Sequence, residues 1–260
     1  MNAMPRLVPL LLATVAAQAF AADDSLSVGF GRTDYSNGYG TRDLFTVEYV
    51  NRSGANTAVV QASAAERSYD DGDDFDGVAL SGTLYRDWSP GISTRTSVAV
   101  ASDDPVFVRR AVDQDVTFKP MARTTLTLGA RYAEYYGDNH AGIAYLAGAY
   151  YFPRLMLRYR YSHYRLSGSG SSHGNLLMLR YRDRGGEGAT QLWLGQGTSI
   201  REYDWSPIVQ AGDFRSVTLR RVQPLAPGLA LNALVEQAWY ETPVGDYEGV
   251  TVGLGLAWKW

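Results

Sequence analysis

The sequence predicts an all-β chain: a single antiparallel transmembrane β-barrel of about fourteen strands, with twelve also compatible, following a cleaved signal peptide. Three observations lead there. The last eleven residues alternate to the end, with Val250, Val252, Leu254, Leu256, Trp258 and Trp260 large and apolar, and Thr251, Gly253, Gly255, Ala257 and Lys259 between them small or polar. A period of two sends one set toward hydrocarbon and the other toward a wetter face. The connections between such stretches alternate in length, short after the even stretches and longer after the odd ones. Short turns at one rim and longer loops at the other mark an outer-membrane barrel, whereas a soluble sandwich has no reason to segregate its loops. Beyond the N-terminal segment no apolar run approaches the ~20 residues of a spanning helix. Any crossing is therefore made by strands, and a spanning sheet must close because lipid cannot hydrate an open edge.

The segment 1–21, MNAMPRLVPLLLATVAAQAFA, carries one basic residue (Arg6), an apolar run from Leu7 to Ala17 and the small-x-small pattern Ala19-Phe20-Ala21. It predicts a secretory signal cut after Ala21, leaving a barrel domain over 22–260. Each following stretch is about as long as a spanning strand, ~9–11 residues. The first, 24–34, ends at YSNGYGT. The second, 42–52, points Phe45, Val47 and Tyr49 outward with Thr46 and Glu48 inward, and turns at RSGAN. The third, 56–69, is alanine-rich with weak alternation, and runs into the acidic YDDGDDFD; the fourth, 75–87, turns at SPG. The fifth, 91–102, sets Ile92, Val98 and Val100 against inward Ser93, Arg95 and Ser97, and leads into DDPVFVRRA, read as a polar loop. The sixth, 112–119, turns at PMA; the seventh, 123–135, ends at GDNH; the eighth, 140–152, fits either register and turns at Pro153.

The ninth, 154–166, alternates Leu155, Leu157, Tyr159 and Tyr161 with Met156, Arg158, Arg160 and Ser162, before SGSGSSH. The tenth, 174–184, repeats the scheme with Leu177, Leu179 and Tyr181 against Arg180 and Arg182, and turns at GGE. The eleventh, 188–199, precedes the thirteen-residue REYDWSPIVQAGD, long enough to fold inward and narrow the lumen. The twelfth, 213–223, turns at PLAPG, the thirteenth, 228–240, ends at TPVGD, and the fourteenth, 246–260, pairs with the first to close the barrel. Trp258 and Trp260 then sit at an interfacial aromatic girdle.

Composition agrees. There is no cysteine, so disulfides do not hold the chain together. Net charge is −3, which argues against a nucleic-acid partner. The only lysines are Lys119 and Lys259, all other basic residues being arginine, the better partner for confined ion pairs. Tyrosine at 18 outnumbers phenylalanine at 8, as suits a membrane–water interface.

The candidate functional residues are the inward charges: Arg95, Arg131, Arg158, Arg160, Arg180, Arg182 and Arg220, with Glu48, Asp113, Asp115 and Glu236. Asp113 and Asp115 lie on the strand between those bearing Arg95 and Arg131, so cross-strand ion pairs are expected. These charges either fill and stiffen the interior or form a basic stripe along the ninth and tenth strands that favours anionic or sugar solutes. The five aspartates of YDDGDDFD do not fit the Ca²⁺ loop spacing, so they read as a solvated loop, and no metal or cofactor is expected. DWSP occurs at 87–90 and 204–207, on opposite sides of the membrane, and reads as coincidence. His140, His163 and His173 belong to no zinc or nucleophile motif. His163 and Ser162 point to opposite faces, so an enzyme is not expected.

The stretches VEYVNR (47–52), YRDWSPGISTRTSVAVASDDPVFVRR (85–110) and LRYRYSHYR (157–165), with the terminal aromatic strand, resemble the YaiO family of outer-membrane β-barrel proteins. The resemblance covers essentially the whole barrel and implies location and fold; it carries no catalytic or ligand motif. The C-terminal alternation of Val252, Leu254, Leu256, Trp258 and Trp260 also resembles the signal read by the outer-membrane assembly machinery. The expectation is a bacterial outer-membrane barrel surrounded by lipid and lipopolysaccharide. It would act as a channel or export conduit for polar, saccharide or anionic solutes through an arginine-lined lumen, or else as a plugged structural or surface-interaction barrel.

Overall fold

The computed structural model describes residues 24–260 except 71, 73, 103, 137–138, 168–169, 199–212 and 242–244. Among these residues lie fourteen strands. The first seven are β1 (Ser25–Tyr35), β2 (Thr41–Ser53), β3 (Asn56–Ser68), β4 (Phe75–Ser89), β5 (Ile92–Ala101), β6 (Arg110–Met121) and β7 (Thr124–Glu134). The others are β8 (His140–Tyr151), β9 (Leu155–Leu166), β10 (Gly170–Arg182), β11 (Ala189–Thr198), β12 (Asp213–Ala226), β13 (Leu229–Glu241) and β14 (Tyr247–Lys259). Each pairs antiparallel with its chain neighbours, and β14 pairs with β1 to close the barrel.

The seam is continuous, from Ser25 opposite Lys259 to Tyr35 opposite Gly249. Beyond it Asp24 and Trp260 exchange two backbone hydrogen bonds of 3.1 Å. The fully buried Asp24 carboxylate accepts from Tyr49 Oη at 2.6 Å and from Asn51 Nδ2 at 2.8 Å, which ties the start of β1 to β2. Two strands begin two or more residues earlier than the side-chain pattern indicates. β6 starts at Arg110 rather than 112, and β10 at Gly170 rather than 174, because the Ser/Gly stretch keeps the N–H and C=O groups that a ladder needs and pairs with β9 as far as Leu166.

Alternation sorts the faces. Phe30, Phe45, Val78, Val98, Leu128, Leu219 and Leu254 all point outward and are exposed. Such residues recur on every wall, a continuous apolar belt far beyond what a soluble monomer shows to water. At the short-turn rim, Trp88, Phe118, Tyr150, Tyr181 and Trp258 form an outward aromatic ring. The eighth strand takes one register: Ala141, Ile143, Tyr145, Ala147 and Ala149 face inward, and Leu146 and Tyr150 outward.

Inward side chains divide along the barrel axis. In the loop-side half they are buried, as at Arg42, Arg67, Ala111, Ala133, Tyr164, Ser216, Tyr240 and Tyr247. In the turn-side half, inward positions of β1 to β5 such as Ser27, Thr46, Gln61, Thr83 and Arg95 stay partly accessible.

Candidate functional site in the lumen

A cavity of about 990 Å³ occupies the barrel interior, and Glu48, Arg95, Asp115, Arg131, Arg158, Arg160, Arg180, Arg220 and Glu236 line it. Asp113 lies behind Arg95, and Arg182 shares the inward parity of Arg180 at the turn-side end of β10. These charges do not form one set.

The first group is a strut. Arg95 Nη2 donates to Asp113 Oδ1 at 2.6 Å and Arg95 Nε donates to Asp115 Oδ2 at 2.8 Å. Both carboxylates are buried. The Tyr145 hydroxyl lies 3.1 Å from Asp113 Oδ1 and 3.0 Å from Asp115 Oδ2, and accepts from Arg95 Nη2 at 3.0 Å. One phenolic proton serves only one carboxylate at a time, so Arg95 supplies the remaining donors. Gly129 makes room for this arrangement. It sits opposite Tyr145 in the register, and a Cβ there would lie 2.1 Å from the ring. From the adjacent strand β9, the Arg160 guanidinium lies 4.9 Å from the centre of the Tyr145 ring. This network joins β5, β6, β8 and β9. On β13 the buried Glu236 accepts from Thr218 Oγ1 at 2.5 Å.

The second group is a basic wall. Arg158 and Arg160 on β9, Arg180 and Arg182 on β10 and Arg220 on β12 all take inward positions. Among the described residues, no inward position of β9 to β12 is Asp or Glu. Seven strands away around the barrel, β2 to β5 present Thr46, Gln61, Ser63, Ser81, Thr83, Ser93 and Ser97 to the same cavity. A wall of guanidinium groups thus faces a wall of hydroxyls and amides.

Sequence patterning missed the loop-side half. The segment DDPVFVRRA, expected to be a polar loop, carries Val106, Phe107 and Val108 into the lumen, all buried. Val108 packs with Tyr135, Ile143, Tyr145 and Tyr164; Val106 and Phe107 pack with Ala65, Leu44 and Phe75. An apolar triplet has a large transfer gain on leaving water, and the packed interior is the nearest place to take it. Beside it Arg42 and Arg67 stand directly opposite each other in the register. The Arg67 guanidinium lies 3.9 Å from the Tyr35 ring centre and 4.5 Å from that of Tyr69, a cation–π contact on two sides. Tyr247 stacks on Tyr39 at 3.9 Å and on Tyr240 at 4.5 Å.

Other expected features fall elsewhere. Ser162 is inward and buried, while His163 is outward and opposite His173. Among the described residues no three His, Cys, Asp or Glu side chains cluster as metal ligands. Asp71 and Asp73, the second DWSP copy and all but the last residue of the thirteen-residue loop expected to be able to narrow the lumen lie outside the described residues.

A family model described as the YaiO membrane beta barrel domain matches residues 23–204. Solved structures share the architecture at low identity. A monoaromatic hydrocarbon channel, CymD, is 7% identical over 93% of this chain and 89% of its own, with a TM-score of 0.63. A bacterial polysaccharide outer-membrane secretin is 10% identical over 93% of this chain and 100% of its own, with a TM-score of 0.56. The anion-selective porin from Comamonas acidovorans is 12% identical over 91% of this chain and 98% of its own, with a TM-score of 0.50. At these identities the likeness is one of fold.

Proposed function

The chain belongs to the YaiO membrane beta barrel family, and from that premise we propose that it is a conduit for polar, saccharide or anionic solutes. It is an integral β-barrel of the bacterial outer membrane, with a porin-like fold. The observation that carries the proposal is the pairing of walls across one cavity: arginines on β9, β10 and β12 against hydroxyls and amides on β2 to β5. Unbalanced cations in a confined lumen raise the local concentration of anions, and a ring of hydrogen-bonding groups replaces part of a polar solute's hydration. The selectivity residues in this reading are Arg158, Arg160, Arg180, Arg182 and Arg220, while Arg95, Asp113 and Asp115 hold the wall in place. Glu48 on β2, Arg131 on β7 and Glu236 on β13 set the charge around the rest of the lumen.

Processing and assembly complete the proposal. Residues 1–21 act as the secretory signal, lipid and lipopolysaccharide surround the apolar belt, and the assembly machinery reads Val252, Leu254, Leu256, Trp258 and Trp260. A second reading, a plugged structural or surface-interaction barrel, is favoured by one observation: Val106, Phe107 and Val108 are buried in the loop-side lumen. Zero-current potentials in planar bilayers under a KCl gradient separate the two. The conduit reading expects anion preference that weakens in Arg158→Glu, and a potential unmoved by that reversal contradicts it.

A further inference from the structure

We propose that Arg158, Arg180 and Arg220, with Gln191 and Trp193, form a binding site for the carboxylates of an acidic saccharide, reached from the short-turn mouth of the barrel. The inference rests on the conduit reading of the lumen and names its substrate class. Arg180 and Arg220 flank Gln191 in one register row, Arg180 opposite it on β10 and Arg220 opposite it on β12. Two strand spacings put their backbones about 10 Å apart. Arg158 pairs with Met178, so it is the diagonal neighbour of Arg180, about 7–8 Å away. Arginine side chains of that spacing converge on a single carboxylate, for which the guanidinium fork is the natural partner.

Two features show that the row is set up for an anion rather than for internal pairing. Arg182, two positions along β10, and Arg220, in the same register row, place like charges around Arg180, and no inward position of β9 to β12 offers a carboxylate in return. Arg180 Nε is buried and, among the described residues, has no hydrogen-bond acceptor. A bound carboxylate supplies both the acceptor and the charge. The saccharide part of the assignment comes from the rest of the cavity. The Trp193 ring lines the same wall, one inward position along β11 from Gln191, and donates Nε1–H to Gln191 Oε1 at 3.2 Å. Its apolar face suits the C–H face of a sugar ring. The opposite wall offers hydroxyls, including the Thr83–Ser97 pair at 2.8 Å, that match a polyhydroxylated solute.

Titration calorimetry on the full chain refolded in detergent tests the site. The probes are a uronic-acid trisaccharide, trigalacturonate, the neutral trisaccharide maltotriose, and acetate, with folding of each variant checked by heat-dependent gel mobility. Trigalacturonate is expected to bind with an affinity that falls as salt rises. Arg180→Gln and Arg220→Gln should each weaken it about tenfold, and Arg215→Gln, outward at the opposite rim, should leave it unchanged. The site is overturned if trigalacturonate does not bind, if maltotriose binds as tightly, or if acetate at equal concentration displaces it. Current recordings keep the two readings apart. Anion-selective current without trigalacturonate binding overturns the site and leaves the conduit; binding with no current at any voltage overturns the conduit and leaves the site.

Discussion

Replacing Arg95 with methionine separates the two kinds of arginine in the lumen. Arg95 donates to two buried carboxylates, Asp113 at 2.6 Å and Asp115 at 2.8 Å, each 6% exposed. Without it, both carboxylates lose that charged donor, and the Tyr145 hydroxyl has one proton for the two. A hydrogen bond to a charged group contributes about 1.5–3 kcal/mol, and breaking a buried pair by removing one partner costs about 3–5 kcal/mol. Two such bonds give about 3–6 kcal/mol, which overlaps the cost of breaking the pair at about 4 kcal/mol for Arg95→Met. Arg158→Met, in the accessible part of the cavity, should change stability by less than about 1 kcal/mol. The assay is urea unfolding of the barrel in lipid vesicles, followed by tryptophan fluorescence. With a slope on the order of 2 kcal/mol per molar urea, the Arg95→Met midpoint should fall by about 2 M. Adding Asp115→Asn should restore part of the loss. Equal midpoints for Arg95→Met and Arg158→Met would refute the division into strut and wall.

Other predictions address the frame around the lumen. Gly129→Ala puts a Cβ 2.1 Å from the Tyr145 ring, which must leave the Asp113–Asp115 bridge; unfolding should come earlier by about 1–3 kcal/mol, measured by the same urea titration. Asp24→Ala removes the acceptor of Tyr49 and Asn51 and should cost about 1–3 kcal/mol, with faster amide exchange at Trp260 than in the parent. From β12, Arg221 Nη1 donates at 2.8 Å to Oδ1 of Asp183, in the turn after β10, and holds the Asp183 carboxyl below its ordinary range. A lowered carboxylate stabilises fully above that range and loses the contribution as pH falls through its folded value. The heat-midpoint difference between parent and Asp183→Asn should therefore be constant at neutral pH and shrink below about pH 4.

The strands were legible because one face meets lipid: Leu155, Leu157, Tyr159 and Tyr161 against Arg158 and Arg160 leave one register possible. The same logic placed the inward charges on their faces. It failed at 140–152, where alanine and glycine occupy both sets, and the register follows instead from Tyr145 needing the space above Gly129. That is a relation between two strands, invisible along one. Arg42 was within reach, since the parity of Thr46 and Glu48 extends to it; Arg67 was obscured by the alanine run of β3. The loop-side packing was hidden for a different reason. Val106, Phe107 and Val108 lie between Asp104 and Arg109, a composition that reads as a solvated loop, and only the interior they fill explains them.

Single-channel current across a planar bilayer tests the central claim most directly. The full chain and a variant carrying Val106→Ser, Phe107→Ser and Val108→Ser are recorded under a salt gradient. The account predicts anion-preferring current for the parent and a larger one for the variant, since the serines release the segment that packs the loop-side lumen. Silence from both at every voltage, or cation preference in the open variant, would contradict it.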